Sequence, residues 1–169
     1  MAIIASEPKS SFQPAPEGLH QAVCCDVVDL GLIETSFGEK HTVKIAWQLE
    51  AINENTGKPY LVSARYTLSL HEKSKLRQHL ETWRGKKFTP AELQGFDLEK
   101  LIDVNCQLQI IHRPADDGRV WANVSAVIPQ AKHSQKLRVI DYVREQDRQV
   151  AAQSEADLAI EREDDRVPF

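Results

Sequence analysis

Residues 41–50 read His41-Thr42-Val43-Lys44-Ile45-Ala46-Trp47-Gln48-Leu49-Glu50, and apolar and polar side chains alternate along them. Successive side chains of a β-strand point to opposite faces of a sheet, so alternation over this length predicts a half-buried strand. One face is expected to join a hydrophobic core and the other to point outward. The predicted core face carries Val43, Ile45, Trp47 and Leu49, and the outer face carries Thr42, Lys44, Ala46 and Gln48.

Four further segments on either side of this strand are rich in Val, Ile, Thr and aromatic residues, which favour strands. Breakers such as Gly57 separate them, and the Asp117-Gly118 step is a strong hairpin signal between the last two. The predicted strands span residues 19–30, 41–50, 60–69, 104–112 and 120–128, and a predicted helix spans residues 72–83.

The helical segment lies between the third and fourth strands. Leu76, Leu80 and Trp83 recur at helical spacing, Gly85 ends the pattern, and Thr89 begins a second short helix. The element order is therefore β-β-β-α-β-β, the connectivity of the OB-fold, a five-stranded Greek-key barrel. The sequence predicts a mainly β protein, a β-barrel with one inserted helical segment, although other small barrels stay open as alternatives.

Composition divides the chain into three parts. Residues 1–17 lack periodicity and predict a flexible N-terminal arm, residues 18–130 form the predicted barrel domain, and residues 131–169 form a linker and an acidic C-terminal tail. Residues 145–169 carry eight acidic and three basic groups, a net charge of −5, while the whole chain carries −4. The rest of the chain is therefore close to neutral, with a net charge of +1 by difference.

Outward-facing residues of the strands are the predicted ligand contacts. Alternation points Arg65 and Trp121 outward and places Val120, Val124 and Ile128 on the core face. An exposed indole suits stacking on a nucleic-acid base, and nearby cations suit phosphates. The alternative is that Trp121 is covered by the arm or the helix and that the cations are simply solvated. The residues predicted to bind single-stranded DNA are Trp121, Arg65, Lys44, Arg113, Arg119, Tyr60, Phe37 and Lys40.

The last six residues place carboxylates directly before an apolar tip, Asp164-Asp165-Arg166-Val167-Pro168-Phe169. This resembles the tail tip of bacterial single-stranded DNA-binding proteins, where Asp-Asp-Asp-Ile-Pro-Phe docks replication, repair and recombination enzymes. A Phe169 ring can fill an apolar pocket while its α-carboxylate meets a cation, and the acids steer the tail to basic surfaces. The protein-interaction tip that the resemblance implies consists of Asp164, Asp165, Val167, Pro168 and Phe169.

The body carries a second resemblance, from Gly18 to about Ile128. It rests on Gly31, Phe37-Gly38-Glu39-Lys40, Trp47, Arg65-Tyr66-Thr67-Leu68-Ser69-Leu70-His71-Glu72-Lys73-Ser74, Trp83-Arg84-Gly85-Lys86 and Gly95-Phe96-Asp97-Leu98. These residues resemble phage-encoded single-stranded DNA-binding proteins, which have an OB-fold and no catalytic activity. The resemblance implies a protein that coats and protects single-stranded DNA during phage replication or recombination, with little sequence specificity. It also implies residence in the cytoplasm of the bacterial host.

Other classes of function find little support in the sequence. The three cysteines have neither zinc-site nor disulfide-framework spacing, and no converging titratable groups indicate an enzyme, so we expect no metal, cofactor or catalysis. No signal peptide or membrane-spanning stretch is visible, which predicts a cytoplasmic protein. A homo-oligomer is left open. The near-neutral body also leaves open an interaction module that binds no DNA and occupies the tip-binding pocket of a host replication or repair enzyme.

Overall fold

A computed structural model of the chain describes residues 13–164, with side chains described as far as residue 154. The described part is mainly β and follows the predicted order β-β-β-α-β-β, with a further helix after the last strand. The strands are β1 (Gly18–Thr35), β2 (Gly38–Asn53), β3 (Lys58–Thr67), β4 (Asn105–Pro114) and β5 (Val120–Ile128). The helices are α1 (Lys75–Arg84), α2 (Pro90–Leu93) and α3 (Glu145–Asp164), and a 3₁₀ turn spans Leu98–Leu101.

The five strands form one antiparallel sheet in the order β3-β2-β1-β4-β5. The edge strands β3 and β5 lie close together, yet no hydrogen-bonded ladder joins them in the described residues. Helix α1 packs against both edges. The sheet therefore curves around a core without closing into a hydrogen-bonded barrel.

The core faces predicted for β2 and α1 are confirmed. Trp47 is fully buried, and the centroid of its ring lies 6.0 Å from that of Trp83 on α1. The helix therefore seals the core beneath the curved sheet, and its apolar stripe meets the apolar face of β2. The buried residues at the predicted positions are Val43, Ile45, Trp47 and Leu49 on β2 and Leu76, Leu80 and Trp83 on α1.

Strand β5 departs from the predicted alternation at Ser125. The pairing with β4 advances from Val124 directly to Ala126, so Ser125 is an extra residue, a β-bulge. The bulge moves the core position along the strand by one residue. Val127 is consequently fully buried, whereas Ile128 is only half-buried, and the prediction that Ile128 faces the core is wrong. Val120, at the start of the strand, is 40% exposed and is not part of the core either.

A second bulge, in β1, decides where an acidic side chain lies. Cys24 pairs with Trp47 on the core side, and the next paired residue, Asp26, lies opposite Ala46 on the outer face. The extra residue between them is Cys25. Without this bulge the carboxylate would point into the hydrophobic core. Instead it is buried on the outer face of the sheet, where its side chain is only 1% exposed.

A segment beyond β5 covers this outer face. We call residues 137–145 the strap; they fall within the segment predicted as a linker. The amide of Asn105 pairs with the backbone N–H and carbonyl of Leu137, at 2.7 and 3.0 Å. The amide of Gln48 pairs in the same way with Ile140, at 2.8 and 2.6 Å. Each buried amide of the sheet thus satisfies both backbone polar groups of one strap residue.

Asp26 anchors the end of the strap and the start of α3. Its carboxylate accepts hydrogen bonds from the Tyr142 hydroxyl at 2.7 Å, from Arg144 Nε at 3.1 Å and from the Glu145 backbone N–H at 2.9 Å. Burial alone raises the pKa of the Asp26 carboxyl, but the hydrogen bonds from Glu145, Tyr142 and Arg144 outweigh it and lower the pKa overall. The charged carboxylate therefore caps the first turn of α3 from a distant strand.

Replacing Asp26 with alanine should lower the free energy of unfolding by about 2–4 kcal/mol, because the buried donors of the strap lose their acceptor. Urea denaturation measures the loss, and faster hydrogen exchange at the Glu145 amide reports release of the strap. The matched control is Asp29→Ala, since the Asp29 side chain is 66% exposed and bonds His41 at the surface. We expect that control to cost less than about 1 kcal/mol. Equal losses in the two variants would show that Asp26 has no special role.

A buried hydrogen bond joins β3 to α1. The Tyr66 hydroxyl and His79 Nδ1 are 2.7 Å apart, and Tyr66 is only 3% exposed. Burial raises the pKa of Tyr66, so the phenol keeps its proton at neutral pH. Burial, with a smaller effect from Lys75, lowers the pKa of His79 from 6.5 to about 4. The folded protein therefore holds this imidazole neutral.

The free energy of unfolding should fall as the pH decreases from 6.5 towards 4, because the unfolded chain binds a proton at His79 that the folded chain does not. His79→Gln keeps a hydrogen-bond acceptor without titrating here, so it should flatten this part of the curve. Thermal unfolding midpoints measured across this interval provide the test. His71→Gln, at an exposed position, serves as the control and should keep the wild-type slope. An unchanged slope in His79→Gln would mean that His79 is not the group responsible.

Candidate nucleic-acid interface

A cleft of about 650 Å³ opens along the seam where β3 and β5 fail to pair. Its position follows from the sheet order, because the two edge strands end on either side of it. The walls are lined mostly by polar and cationic side chains rather than by core residues. The polar and charged lining residues are Ser63 and Arg65 of β3, Lys75 of α1, Arg113 of β4, and Asn123 and Ser125 of β5.

Three cations line this cleft, namely Arg65, Lys75 and Arg113. Within residues 13–154, none of the three lies within ion-pair distance of a carboxylate. Lys75 Nζ instead lies 5.9 Å from the centroid of the Tyr66 ring. Like charges gathered in one concave surface repel each other, and a bound anion relieves the repulsion. The cleft is therefore suited to a polyanionic ligand.

Trp121 adjoins the cleft on its β5 side. It lies opposite Arg113 in the antiparallel register, so the two side chains share the outer face. Trp121 is 45% exposed, as its position in the alternation predicts, whereas Trp47 and Trp83 are buried. A flat, partly exposed indole next to a cleft cation combines the two features that single-stranded nucleic-acid sites use.

Three of the predicted contact residues lie at strand ends and loops rather than in the cleft. Phe37 is 87% exposed in the turn between β1 and β2, and Lys40 is exposed on the same hairpin. Arg119 lies in the β4–β5 turn, where its Nε is 3.3 Å from Asp117 Oδ2. All three remain accessible to solvent, since the Arg119–Asp117 pair is itself mostly exposed.

Two other predicted residues are engaged elsewhere. Lys44 Nζ lies 2.8 Å from Glu145 Oε2, at the first residue of α3. Tyr60 packs against the core, and its hydroxyl lies 3.5 Å from Gln13 Oε1. The structure thus brings Arg65 and Arg113 together at one cleft with Trp121 beside it, and it does not bring Lys44 or Tyr60 into that group.

Lys75 is the cleft cation that the sequence analysis missed. It is the first residue of α1, directly after the Ser74 N-cap, whose hydroxyl accepts a hydrogen bond from the Arg77 backbone N–H. The apolar spacing of the helix shows only that Lys75 does not belong to the core face. Its place in the cleft depends on where α1 packs between β3 and β5, which the spacing does not reveal.

Other chemistry has little basis in the described residues. Residues 13–154 contain no group of three or more His, Cys, Asp or Glu side chains placed to hold a metal ion. Cys24, Cys25 and Cys106 are buried, and burial raises the pKa of each thiol, which keeps them protonated at neutral pH. No helix in the described part of the chain has the length and hydrophobicity needed to cross a membrane.

The local charge of the interface can be measured without any nucleic acid. Iodide should quench the tryptophan fluorescence more strongly than caesium, because the cations beside Trp121 concentrate anions. Trp121→Phe should abolish most of this quenching, since Trp47 and Trp83 are buried. Arg113→Gln should reduce quenching by iodide and leave quenching by neutral acrylamide unchanged. Equal quenching by iodide and caesium in the wild-type protein would contradict a cationic surface here.

The predicted interaction tip cannot be placed beside this cleft. Asp165, Val167, Pro168 and Phe169 lie outside the described residues, as does the side chain of Asp164. The chain matches no protein-family profile and no curated protein. What this surface binds is therefore inferred from its own chemistry.

Proposed function

We propose that this chain is a non-catalytic single-stranded DNA-binding protein with an OB-fold, which holds the strand in the cleft between β3 and β5. The observation that carries the proposal is the grouping of Arg65, Lys75 and Arg113, which have no carboxylate partner within residues 13–154. Trp121 adjoins this group through its register pair with Arg113. The unpaired cations can bind phosphates, and the partly exposed indole beside them can stack on a base.

The sheet order supports the OB-fold part of the proposal. β1 pairs with both β2 and β4, while β3 and β5 are the edges that approach each other over α1. A short β3–β5 pairing would complete a five-stranded Greek-key barrel, and OB-folds are partly open barrels. In such barrels the face of strands 2 and 3, together with the β1–β2 and β4–β5 loops, binds oligonucleotides. Here these three elements carry Arg65, Phe37 and Arg119.

Selection of single strands follows from the accessibility of the bases. A duplex keeps the faces of its bases inside the stack, whereas an unpaired strand can place a base on Trp121. Stacking on an aromatic side chain contributes about 1–3 kcal/mol per base and is nearly independent of base identity. An OB-fold covers roughly 4–16 nucleotides, so we expect short, sequence-tolerant sites. Such binding protects strands exposed during phage replication or recombination in a bacterial cytoplasm.

The acidic tail has a separate role in this proposal. Its tip, including Val167, Pro168 and Phe169, recruits replication, repair or recombination proteins, while the barrel keeps the DNA. This separation of roles between tail and barrel explains why an overall charge of −4 is compatible with binding a polyanion. The tail carries a net charge of −5 and the rest of the chain +1, and the cations that matter are local to the cleft.

Titration of fluorescently labelled oligo-dT at several salt concentrations, beside a duplex of equal length, tests the DNA-binding proposal. We expect tight binding of the single strand, with log K falling by about 0.7 per neutralised phosphate as log salt rises. Arg113→Gln and Arg65→Gln should each weaken binding and reduce the salt slope by about 0.7. Trp121→Ala should cost about 1–3 kcal/mol without changing the slope. Lys58→Gln, at an exposed lysine outside the cleft, is the control and should leave both values unchanged.

Absence of binding at low salt would reject the proposal. The alternative would then be a module that binds no DNA and uses its tip to occupy a pocket on a host replication or repair enzyme. Loss of binding in Lys58→Gln to the same extent as in Arg113→Gln would instead show diffuse charge attraction rather than a site at the cleft.

A further inference from the structure

A second concave surface, an apolar pocket of about 290 Å³, lies at the other end of α1 from Lys75. Leu80 and Trp83 form its floor on the helix and are buried. Val104 is 40% exposed, so the pocket opens to solvent. The remaining apolar lining comes from Phe96, Leu101 and Pro129.

Two cations, Arg84 and Lys100, also line this pocket. Arg84 Nη2 lies 2.8 Å from Glu92 Oε2, and the guanidinium is 4.8 Å from the centroid of the Phe88 ring. Arg84 Nη1 is buried and has no hydrogen-bond partner within residues 13–154. A buried charged donor without an acceptor is unfavourable, and an incoming carboxylate would satisfy it. The pocket therefore suits a ligand with an apolar side chain next to a carboxylate.

We propose that this pocket binds the segment Asp164–Phe169 of a second copy of the chain. The segment joins two carboxylates, Asp164 and Asp165, to an apolar end formed by Val167, Pro168 and Phe169. The Phe169 ring would enter the apolar part of the pocket, and a carboxylate would reach Arg84 or Lys100. Residues 145–169 carry a net charge of −5, which draws the segment towards a basic rim.

The direction of α3 favours a second copy over the chain's own segment. The helix begins at Asp26 on β1, and Ala152 lines a groove together with Leu61 and Ser63 of β3. The apolar pocket lies on the other side of β1, beside Asn105 of β4.

The length of α3 also favours a second copy over the chain's own segment. The 20 residues of α3 extend over about 30 Å, and the five residues beyond it span at most about 18 Å. Five residues are therefore too few to span the length of α3 back to β1.

Such a contact joins two different surfaces, so it links copies head to tail rather than as a closed pair. Each copy offers one pocket and one segment, and the chain of contacts can continue. Copies held close together on one DNA strand would gain from the raised local concentration. The contact itself involves no cleft residue and does not depend on DNA being the ligand there.

A peptide of residues 161–169 with fluorescein on its N-terminal amine and a free C-terminal carboxylate provides the probe. It is titrated with the full chain carrying Phe169→Ala, which removes competition from the chain's own segment. We expect saturable binding that weakens at least about tenfold when Phe169 of the peptide is alanine. Lys100→Glu in the protein should weaken it at least about threefold through charge reversal at the rim. Lys58→Glu, the same charge change at an exposed site outside the pocket, should have no effect.

Light scattering over a range of protein concentrations then tests whether the segment binds the pocket of another copy. The apparent mass of the wild-type chain should rise with concentration, and that of the Phe169→Ala variant should remain the mass of a monomer. Absence of peptide binding, or equal weakening by Lys58→Glu and Lys100→Glu, would contradict the proposal that this pocket binds the segment. Peptide binding by a wild-type chain that stays monomeric at every concentration would overturn the contact between copies.

Discussion

The buried carboxylate of Asp26 joins parts of the chain that are far apart in sequence. The bulge at Cys25 turns it onto the outer face of β1, where it accepts hydrogen bonds from the strap and caps α3. The strap then covers the outer side of β2, so that Ala46 and Gln48 are buried although they lie opposite the core face. Loss of this carboxylate would expose that side of the sheet and detach α3 from its capping group.

The strap also determines which part of the outer surface remains for a ligand. It brings Glu145 to Lys44 and so neutralises one cation of the β2–β3 face. The seam between β3 and β5 lies beyond the strap, and Arg65 and Arg113 remain there without a carboxylate partner in residues 13–154. The strap thus pairs Lys44 with a carboxylate on one part of the outer face and leaves Arg65 and Arg113 available to a ligand on the other.

Which cations have carboxylate partners is more informative about ligand binding than the net charge of the chain. Three arginines elsewhere in the described part are paired with carboxylates: Arg77 with Glu81, Arg84 with Glu92, and Arg144 with both Asp26 and Glu99. Arg65, Lys75 and Arg113 lack such partners within residues 13–154 and line one concave surface, where their potentials add. Helix α1 connects the two proposed sites, with Lys75 at the cleft and Arg84 at the apolar pocket.

The sequence by itself determined the elements and most of their faces. Alternation in residues 41–50 and helical spacing from Leu76 to Trp83 depend on neighbours a few positions away, so both were readable without the fold. The outward positions of Arg65 and Trp121 followed from the same periodicity. Only the tertiary structure decided the bulge that buries Val127 in place of Ile128, the arrival of Lys75 at the cleft and the pairing of Lys44. The strap shows why: Asp26 meets its partners across 116 to 119 residues, and local periodicity carries no information about contacts over that separation.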